Sequence, residues 1–252
     1  MVDQKFSGTS FSGKTIVVTG GASGMGLAIT ELLVAEGAHV IALDRSETVN
    51  ELGDMVTGIR VDLTDLPMLK SVVEGFPDVD GLVNAAGIMI SGDIFTVTPE
   101  EWDRTMDINL KGVFFMTQYT ADKLVPGSSV VHISSIGGVS AVNYSAAAYH
   151  ASKGAVITMT KSWARALAPR QVRVNSVLPG VTDTPMLQAI FEKQAASSGE
   201  DVESIRTVSA ASVPVGHLAE PREIAEVVAF LLSPKSSYIT GTAINASGGA
   251  VM

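Results

Sequence analysis

Tyr149 and Lys153 stand four residues apart in Tyr149-His150-Ala151-Ser152-Lys153, a spacing that puts a phenol and an ammonium on one face of a helix. A free phenol, with a pKa of about 10, is a poor base near neutrality, and a cation one helical turn away favours its ionised form. Such a pair can give a proton to an oxygen atom or take one from it. Tyrosine and lysine one turn apart also decorate ordinary solvated helix faces, so the neighbouring residues must decide between the two readings.

The first of those neighbours is a glycine turn. Thr19-Gly20-Gly21-Ala22-Ser23-Gly24-Met25-Gly26 follows the β-branched run Thr15 to Thr19 and opens a helical pattern. Glycines at such a junction allow a tight turn and a close approach of backbone N–H groups to a pyrophosphate. The spacing of Gly20, Gly24 and Gly26 is neither Gly-x-Gly-x-x-Gly nor the loop of a nucleoside-triphosphate site, which would end in Gly-Lys-Ser or Gly-Lys-Thr. Alone, a glycine-rich turn can simply join strand to helix. Asp44 adds to it: it ends the second apolar run, 24 residues past Gly20, where a carboxylate accepts hydrogen bonds from the hydroxyls of an adenosine ribose. The same charge repels a 2′-phosphate, which selects NAD over NADP. Arg45, the next residue, is the counterweight, because a guanidinium there offsets part of that repulsion.

The elements that must position these groups follow from an alternation of short apolar runs and longer helical patterns, the signature of βαβ units around a parallel sheet buried on both faces. Strands are expected at Thr15–Thr19, His39–Leu43, Thr57–Val61, Gly81–Asn84, Ser129–Ser134, Arg173–Leu178 and Ala243–Ala246. Helices are expected at Gly24–Glu36, Pro67–Glu74, Pro99–Leu124, Ala147–Ala168 and Glu220–Leu232. Thr98-Pro99-Glu100-Glu101 is a capping box with a first-turn proline, and Glu220-Pro221-Arg222-Glu223 is a weaker version of it. The fold class is therefore α/β, a single doubly wound (Rossmann) domain over 14–252 with a seven-stranded, mainly parallel sheet and a loose arm at 1–13. Thr184 to Pro214, small and polar around a helical piece at Met186–Lys193, has the character of a substrate lid.

A chain of 252 residues, 46% hydrophobic and 17% charged, can bury one substantial core. A net charge of -9 argues against an extended nucleic-acid face. No apolar run reaches membrane-spanning length. Without cysteine there is neither a disulfide framework nor a thiolate nucleophile, and a cytoplasmic location is the default. The four histidines show no metal-ligand spacing, so no metal is expected; His132 and His150 read as packing or surface residues.

Six separated motifs make the chain resemble the short-chain dehydrogenase/reductase family from Lys14 to Gly249. They are Thr19 to Gly26, Asp62 in Val61-Asp62-Leu63, Asn84-Ala85-Ala86-Gly87, Asn109 in Asp107-Ile108-Asn109, Ser135 in Ile133-Ser134-Ser135, and Tyr149 with Lys153; Pro179-Gly180 then follows a strand. The resemblance implies that Tyr149 is the acid/base and that Lys153 binds the nicotinamide ribose and lowers the tyrosine pKa. It further implies that Ser135 holds the substrate oxygen and that Asn109 fixes a water in a proton relay. Gly20, Ser23, Gly24, Met25 and Gly26 would take the pyrophosphate. Asp62 and Leu63 would meet the adenine, Asn84 to Gly87 would line the adenosine and ribose side, and Val181, Thr182 and Thr184 after Pro179-Gly180 would hold the carboxamide.

The chain departs from that family in places. The Ser135 to Tyr149 interval is one residue longer than usual, which keeps Ser134 as a competitor to Ser135. Asp44 to Asp62 is short, which should trim or remove the helix before Thr57. Thr182 replaces an Ile or Val, and Ala246-Ser247-Gly248-Gly249 lacks the common aspartate. Tyr144 is no rival to Tyr149, because Ala148 stands one turn after it. Ile136, Val142, Met186 and Leu187, with Met252, are candidates for a substrate pocket, although packing explains them equally well. Trp102 and Trp163 read as helix packing. The helix from Ala147, apolar on more than one side, suggests a subunit contact, and the resemblance favours a homotetramer. The expected reaction is hydride transfer between NAD and a secondary alcohol or ketone, small or medium in size and uncharged, since the lid segment offers only Lys193 and Arg206 as cations. 3-Hydroxyacyl thioesters, polyols and steroid or terpenoid alcohols are the alternatives within that chemistry. A non-catalytic NAD-sensing protein is the alternative outside it.

Overall fold

The computed structural model describes residues 11–141 and 145–251. Seven strands, β1 (Thr15–Thr19), β2 (His39–Asp44), β3 (Val56–Arg60), β4 (Val79–Asn84), β5 (Leu124–Ile133), β6 (Arg173–Pro179) and β7 (Ala243–Ala246), form one parallel sheet in the order β3-β2-β1-β4-β5-β6-β7. Alternate residues feed opposite faces. Ile16 and Val18 of β1, with Val83 and Val131, pack under α1 (Gly24–Ala35) and α8 (Pro221–Leu232). Val17, with Leu82 and Val130, packs on the other face against α2 (Leu66–Glu74), α4 (Val113–Thr120) and α5 (Ala147–Leu167). Burial on both faces is why these strands read as continuous apolar runs.

The chain runs outward from β1 to β3 and then returns to place β4 on the other side of β1, so a crevice opens beyond the carboxyl ends of β1 and β4. The loops that leave those ends are the glycine turn and Ala85–Gly87. Thr19 braces the crevice, its hydroxyl accepting the Ala86 N–H at 3.2 Å.

Several elements differ from expectation. Phe11 belongs to the domain rather than to a loose arm: its side chain is buried with Leu32, Leu33 and Val40, and its N–H bonds the Glu36 carbonyl at 2.9 Å. The connection between β2 and β3 holds only a 3-10 turn, Glu47–Glu51, as its short length required. The single helix expected from Pro99 to Leu124 is instead α3 (Pro99–Met106), a π-helical segment Asp107–Gly112, α4, and a 3-10 turn Ala121–Lys123. Leu124 already begins β5, five residues before the expected start. The Thr98 capping box is present, with Thr98 Oγ1 accepting the Glu101 N–H at 3.2 Å and Glu101 returning a carboxylate to the Thr98 N–H at 3.0 Å. Glu223 reaches back in the same way to the Glu220 N–H at 2.8 Å. Trp102, expected to pack, is 43% exposed on the first turn of α3.

The segment 184–214, expected to hold one helical piece, carries two helices, α6 (Pro185–Ser198) and α7 (Val202–Ala211), joined through Gly199 at φ 78° and packed on a small core of Phe191, Ile205 and Leu218. Lys193 of α6 donates to the Ser91 carbonyl at 2.7 Å, which ties α6 to the loop after β4. Arg206 of α7 pairs through both guanidinium nitrogens with Asp183, just ahead of α6.

Candidate active site

Two glycines of the turn cannot carry side chains. Gly20 has φ 68°, and a Cβ there would lie 2.8 Å from Ala86 Cα; one on Gly26 would lie 2.0 Å from the Gly20 carbonyl oxygen. Ser23 stands at the N-cap of α1 and its side chain caps no N–H, while the first turn holds no acidic residue. Unfilled amide groups at the positive end of a twelve-residue helix, above a floor of bare glycine, form a cradle for an anion such as a pyrophosphate.

Around this cradle runs a cleft lined by Gly20, Ser23, Gly24, Met25, Gly26, Asp44, Arg45, Asp62, Leu63, Ala85, Ala86, Gly87, Thr184 and Met186. Leu43, Val61, Ile88, Ile108 and Pro185 complete it; none was singled out as a site residue, and they enter as neighbours of residues that were. Asp44 is fixed from both sides. One carboxylate oxygen accepts the Ala22 N–H of the glycine turn at 3.1 Å, and the other accepts the Ser46 N–H at 3.0 Å. Asp62, exposed at the cleft, has its carboxyl held below the usual range, chiefly by the Thr64 N–H. These features fit a dinucleotide: a bare cradle for its phosphates, a rigid carboxylate for ribose hydroxyls, and an apolar slot between Val61, Leu63 and Ala85 for a base.

Other expected cofactor residues lie elsewhere. Asn84 is buried, with its amide donating to Thr117 Oγ1 at 3.2 Å and facing His132 Nδ1 at 3.1 Å, so it braces the strand ends beneath the cleft and does not line it. Pro179 ends β6. Gly180 and Val181 border a separate hollow formed with α8 and the end of β7, where a Cβ on Gly180 would come within 2.9 Å of Ser247 Cα. Thr182 turns its hydroxyl to the Gly180 carbonyl at 3.2 Å. Of this group Thr184 alone borders the cleft, as the N-cap of α6. Among the candidate substrate residues, Met186 is 38% exposed at the cleft, Ile136 is buried against Ile157 and Leu178, and Leu187 packs on the core of Phe191, Ile205 and Leu218. Val142, Asn143, Tyr144 and Met252 lie outside the described residues.

The candidate proton-transfer groups meet at the inner end of the cleft. Gly87 lines it, and a Cβ there would lie 3.3 Å from both Lys153 Nζ and Asn109 Oδ1. Ser135 and Ser134 part company at the end of β5. Ser135 is hydrogen-bonded to the Tyr149 phenol, and its Oγ also accepts the Gly137 N–H at 3.0 Å. Ser134 points the other way and donates to the Lys153 carbonyl at 2.7 Å, which fastens α5 to the sheet. Ser135 is thus the serine that faces the phenol.

Asn109 owes its position to the π-helical turn, whose wider ring shifts the register within the helix. Its carboxamide pairs with Ile88 in both directions, accepting the N–H and donating to the carbonyl at 2.8 Å each, and it also donates to Ser152 Oγ at 3.2 Å. Both amide hydrogens are thus spent on protein partners, while Oδ1 keeps a second lone pair with which it can accept from a water.

The Tyr149 pKa is shifted upward in the cofactor-free chain, against the lowering expected from Lys153. The lysine ammonium lies 5.7 Å from the Tyr149 ring centroid and donates to the Ile133 carbonyl at 2.8 Å. Burial raises the Tyr149 pKa, with the Ser135 hydrogen bond pulling the other way. Burial also brings Lys153 down to about 8. The two groups are neighbours in a desolvated site, and desolvation disfavours the charged form of each.

This has a consequence for stability. Below about pH 8 the folded, cofactor-free protein bears the full penalty of a buried ammonium, whereas between about 8 and the ordinary value of 10.5 the unfolded chain holds more protons than the folded one, so stability rises with pH. Lys153→Met should therefore unfold at higher temperature than the parent at pH 7, with a gain on the order of 2 kcal/mol, and should lose the rise between about pH 8 and 10. Thermal unfolding across that range checks it.

A crevice at the switch point of a doubly wound sheet, a glycine cradle at a helix N-terminus and a tyrosine-lysine pair beside it define a Rossmann-type oxidoreductase. The match to known families is specific. Residues 20–251 fit a family model described as enoyl-(acyl carrier protein) reductase, and the chain belongs to the short-chain dehydrogenase/reductase family. Among its relatives are 3-oxoacyl-(acyl-carrier-protein) reductase of Thermotoga maritima, 39% identical with 95% of this chain and 98% of that protein covered, and (3R)-3-hydroxyacyl-CoA dehydrogenase of Rattus norvegicus, 36% identical with 94% and 95% covered. Ligand-free aldohexose dehydrogenase of Thermoplasma acidophilum superposes with a TM-score of 0.88 at 32% identity, covering 95% of this chain and 94% of that one. An actinorhodin polyketide ketoreductase solved with NADPH superposes at 0.87 and 33% identity, covering 94% and 97%.

Proposed function

We propose that the chain is an NAD-dependent dehydrogenase/reductase of secondary alcohols and ketones, with Tyr149 as the proton donor and acceptor. The observation that carries this is the Ser135 to Tyr149 hydrogen bond, set beside Lys153 at the inner end of a cleft that begins at a phosphate cradle. Bound nicotinamide would accept or supply the hydride. The remaining chemistry belongs to the protein. Ser135 holds the substrate oxygen through its hydroxyl and stabilises the charge that develops there. Tyr149 moves the proton to or from that oxygen. Lys153 holds the ribose, and its positive charge, together with that of an oxidised nicotinamide, opposes the burial that raises the phenol pKa. Asn109 keeps Ile88 and Ser152 in register around it.

Asp44 supports NAD. Its carboxylate faces the place of the adenosine ribose and is rigidly held by two backbone amides, so it cannot swing away from a 2′-phosphate. The substrate we infer is uncharged, because both lid cations are already engaged, Lys193 by Ser91 and Arg206 by Asp183. Relatives named for 3-oxoacyl and 3-hydroxyacyl substrates make a 3-hydroxyacyl thioester the foremost specific candidate within this class. The relatives lend no support to a non-catalytic NAD sensor. An apolar hollow of Phe114, Met159, Trp163 and Ala166 on the outer faces of α4 and α5 supports a homotetramer built through these helices. No described helix is long and apolar enough to cross a membrane. The cysteine-free composition is the support for a cytoplasmic site.

Purified protein should reduce NAD in the presence of secondary alcohols or 3-hydroxyacyl thioesters, followed by the absorbance of the reduced nicotinamide, and should do so faster than with NADP. No turnover across such a panel, despite cofactor binding, would contradict the proposal.

A further inference from the structure

Beneath the inner end of the cleft β5 carries His132, fully buried against α4 and α5. A short chain of hydrogen bonds determines its state. The Thr117 hydroxyl donates its single hydrogen to the Val113 carbonyl at 2.8 Å, so toward Asn84 the threonine oxygen can only accept. Asn84 must therefore present its amide nitrogen, at 3.2 Å from Thr117 Oγ1 and 3.1 Å from His132 Nδ1. His132 Nδ1 is left as the acceptor, and the ring proton sits on Nε2. Burial first, then the field of Lys153, brings the imidazole down to about 3. Lys153, from α5, is the charged group that faces it; β4, β6 and α4 present Asn84, Ser176 and Thr117, which carry no charge.

The ring lies between two strand ends that flank the lysine. On one side His132 precedes Ile133 and Ser134, which hold the Lys153 ammonium and backbone carbonyl respectively. On the other, Asn84 precedes Ala85, Ala86 and Gly87, and Gly87 comes close to Lys153 Nζ. We propose that His132 is a positioning residue for Lys153: a permanently neutral imidazole, its tautomer imposed by Thr117 and Asn84, that fixes the ends of β4 and β5 around the ammonium without adding a second buried positive charge. Protonation of Nδ1 would remove the acceptor that Asn84 needs and would set two like charges together in a desolvated interior. The inference rests on the place of Lys153 in the function proposed above.

Two measurements on the cofactor-free full chain test it. Long-range proton–nitrogen correlation of the imidazoles should find His132 as the Nε2–H tautomer, unchanged over about pH 5 to 8. An Nδ1–H ring, or one that titrates in that range, overturns the proposal. Carbon-labelled lysine side chains then report Lys153 directly. His132→Asn, whose amide oxygen can accept the Asn84 N–H, should leave the Lys153 titration near about 8. His132→Leu, which offers no acceptor, should lower it and weaken the binding of reduced NAD by about tenfold in a fluorescence titration. An unchanged Lys153 titration in folded His132→Leu overturns the proposal. Should that variant fail to fold, a shift of about a unit or more in His132→Asn does the same. Failure of the underlying function is seen separately, as turnover that survives loss of the Tyr149 hydroxyl.

Discussion

Tyr149→Phe is expected to reduce turnover by roughly a thousandfold or more while leaving cofactor affinity within about threefold of the parent. In the proposed mechanism the phenol oxygen exchanges a proton with the substrate oxygen, and its removal deletes a hydrogen bond to Ser135 without changing the ring's bulk. Ser135 is 9% exposed and retains the Gly137 N–H as a partner, so the serine should stay in place. Rapid equilibrium binding of reduced NAD, measured by fluorescence, separates the two effects. Equal loss of binding and turnover would indicate a collapsed site in place of a missing proton carrier.

The second large effect is at Asp44. Asp44→Ser should raise the Michaelis constant for NAD by about tenfold and lower that for NADP, so that the preference between them swings by about two orders of magnitude toward NADP, because a like-charge clash of several kcal/mol is removed and Arg45 is left beside the ribose. Arg45 already borders the cleft, and its backbone carbonyl is held by Arg60 at 3.1 Å. The serine hydroxyl can accept one of the two amides, Ala22 or Ser46, that Asp44 now accepts, which keeps the turn folded. Initial rates with both cofactors, together with a thermal unfolding control, check the prediction. Unchanged preference would mean that Asp44 serves only the turn.

The parts of this site that were legible in the sequence depend on local chemistry. Gly20 and Gly26 are demanded because a Cβ at either would lie within 2.8 and 2.0 Å, respectively, of neighbouring backbone, and the β-branched runs on either side of them form buried strands. The capping box at Thr98 announced the start of α3 to the residue. The start of α7 was equally marked, by Asp201 accepting the Ser204 N–H at 2.9 Å and by Val202 and Ile205 on one face, although the polar residues around them gave the segment the look of a loop.

The π-helical turn had no such mark. Asp107 to Gly112 continues the helical pattern on both sides, and the widened ring is selected by tertiary contacts: Gly112 fits against Leu63, where a Cβ would lie 3.0 Å away, and Asn109 must reach Ile88 and Ser152. The first residues of β5 were hidden by Pro126, Gly127 and Ser128, residues that ordinarily punctuate loops. Desolvation was hidden too. Helical spacing put Lys153 beside Tyr149, but the depth at which the pair lies comes from the sheet and α4, and that depth reverses the expected effect on the phenol. The role of Asn84 changed for a similar reason, since its motif places it at a strand end but only the cross-strand register shows that it faces His132.

The most direct test of the central claim follows the hydride itself. A secondary alcohol substrate carrying deuterium on its hydroxyl-bearing carbon is incubated with NAD and the enzyme, and the reduced cofactor is analysed by mass spectrometry. Direct transfer predicts one deuterium in the reduced nicotinamide for each ketone formed, with none lost to water, and no transfer above background with Tyr149→Phe. Deuterium appearing in solvent, or ketone formed without labelled cofactor, would contradict the account.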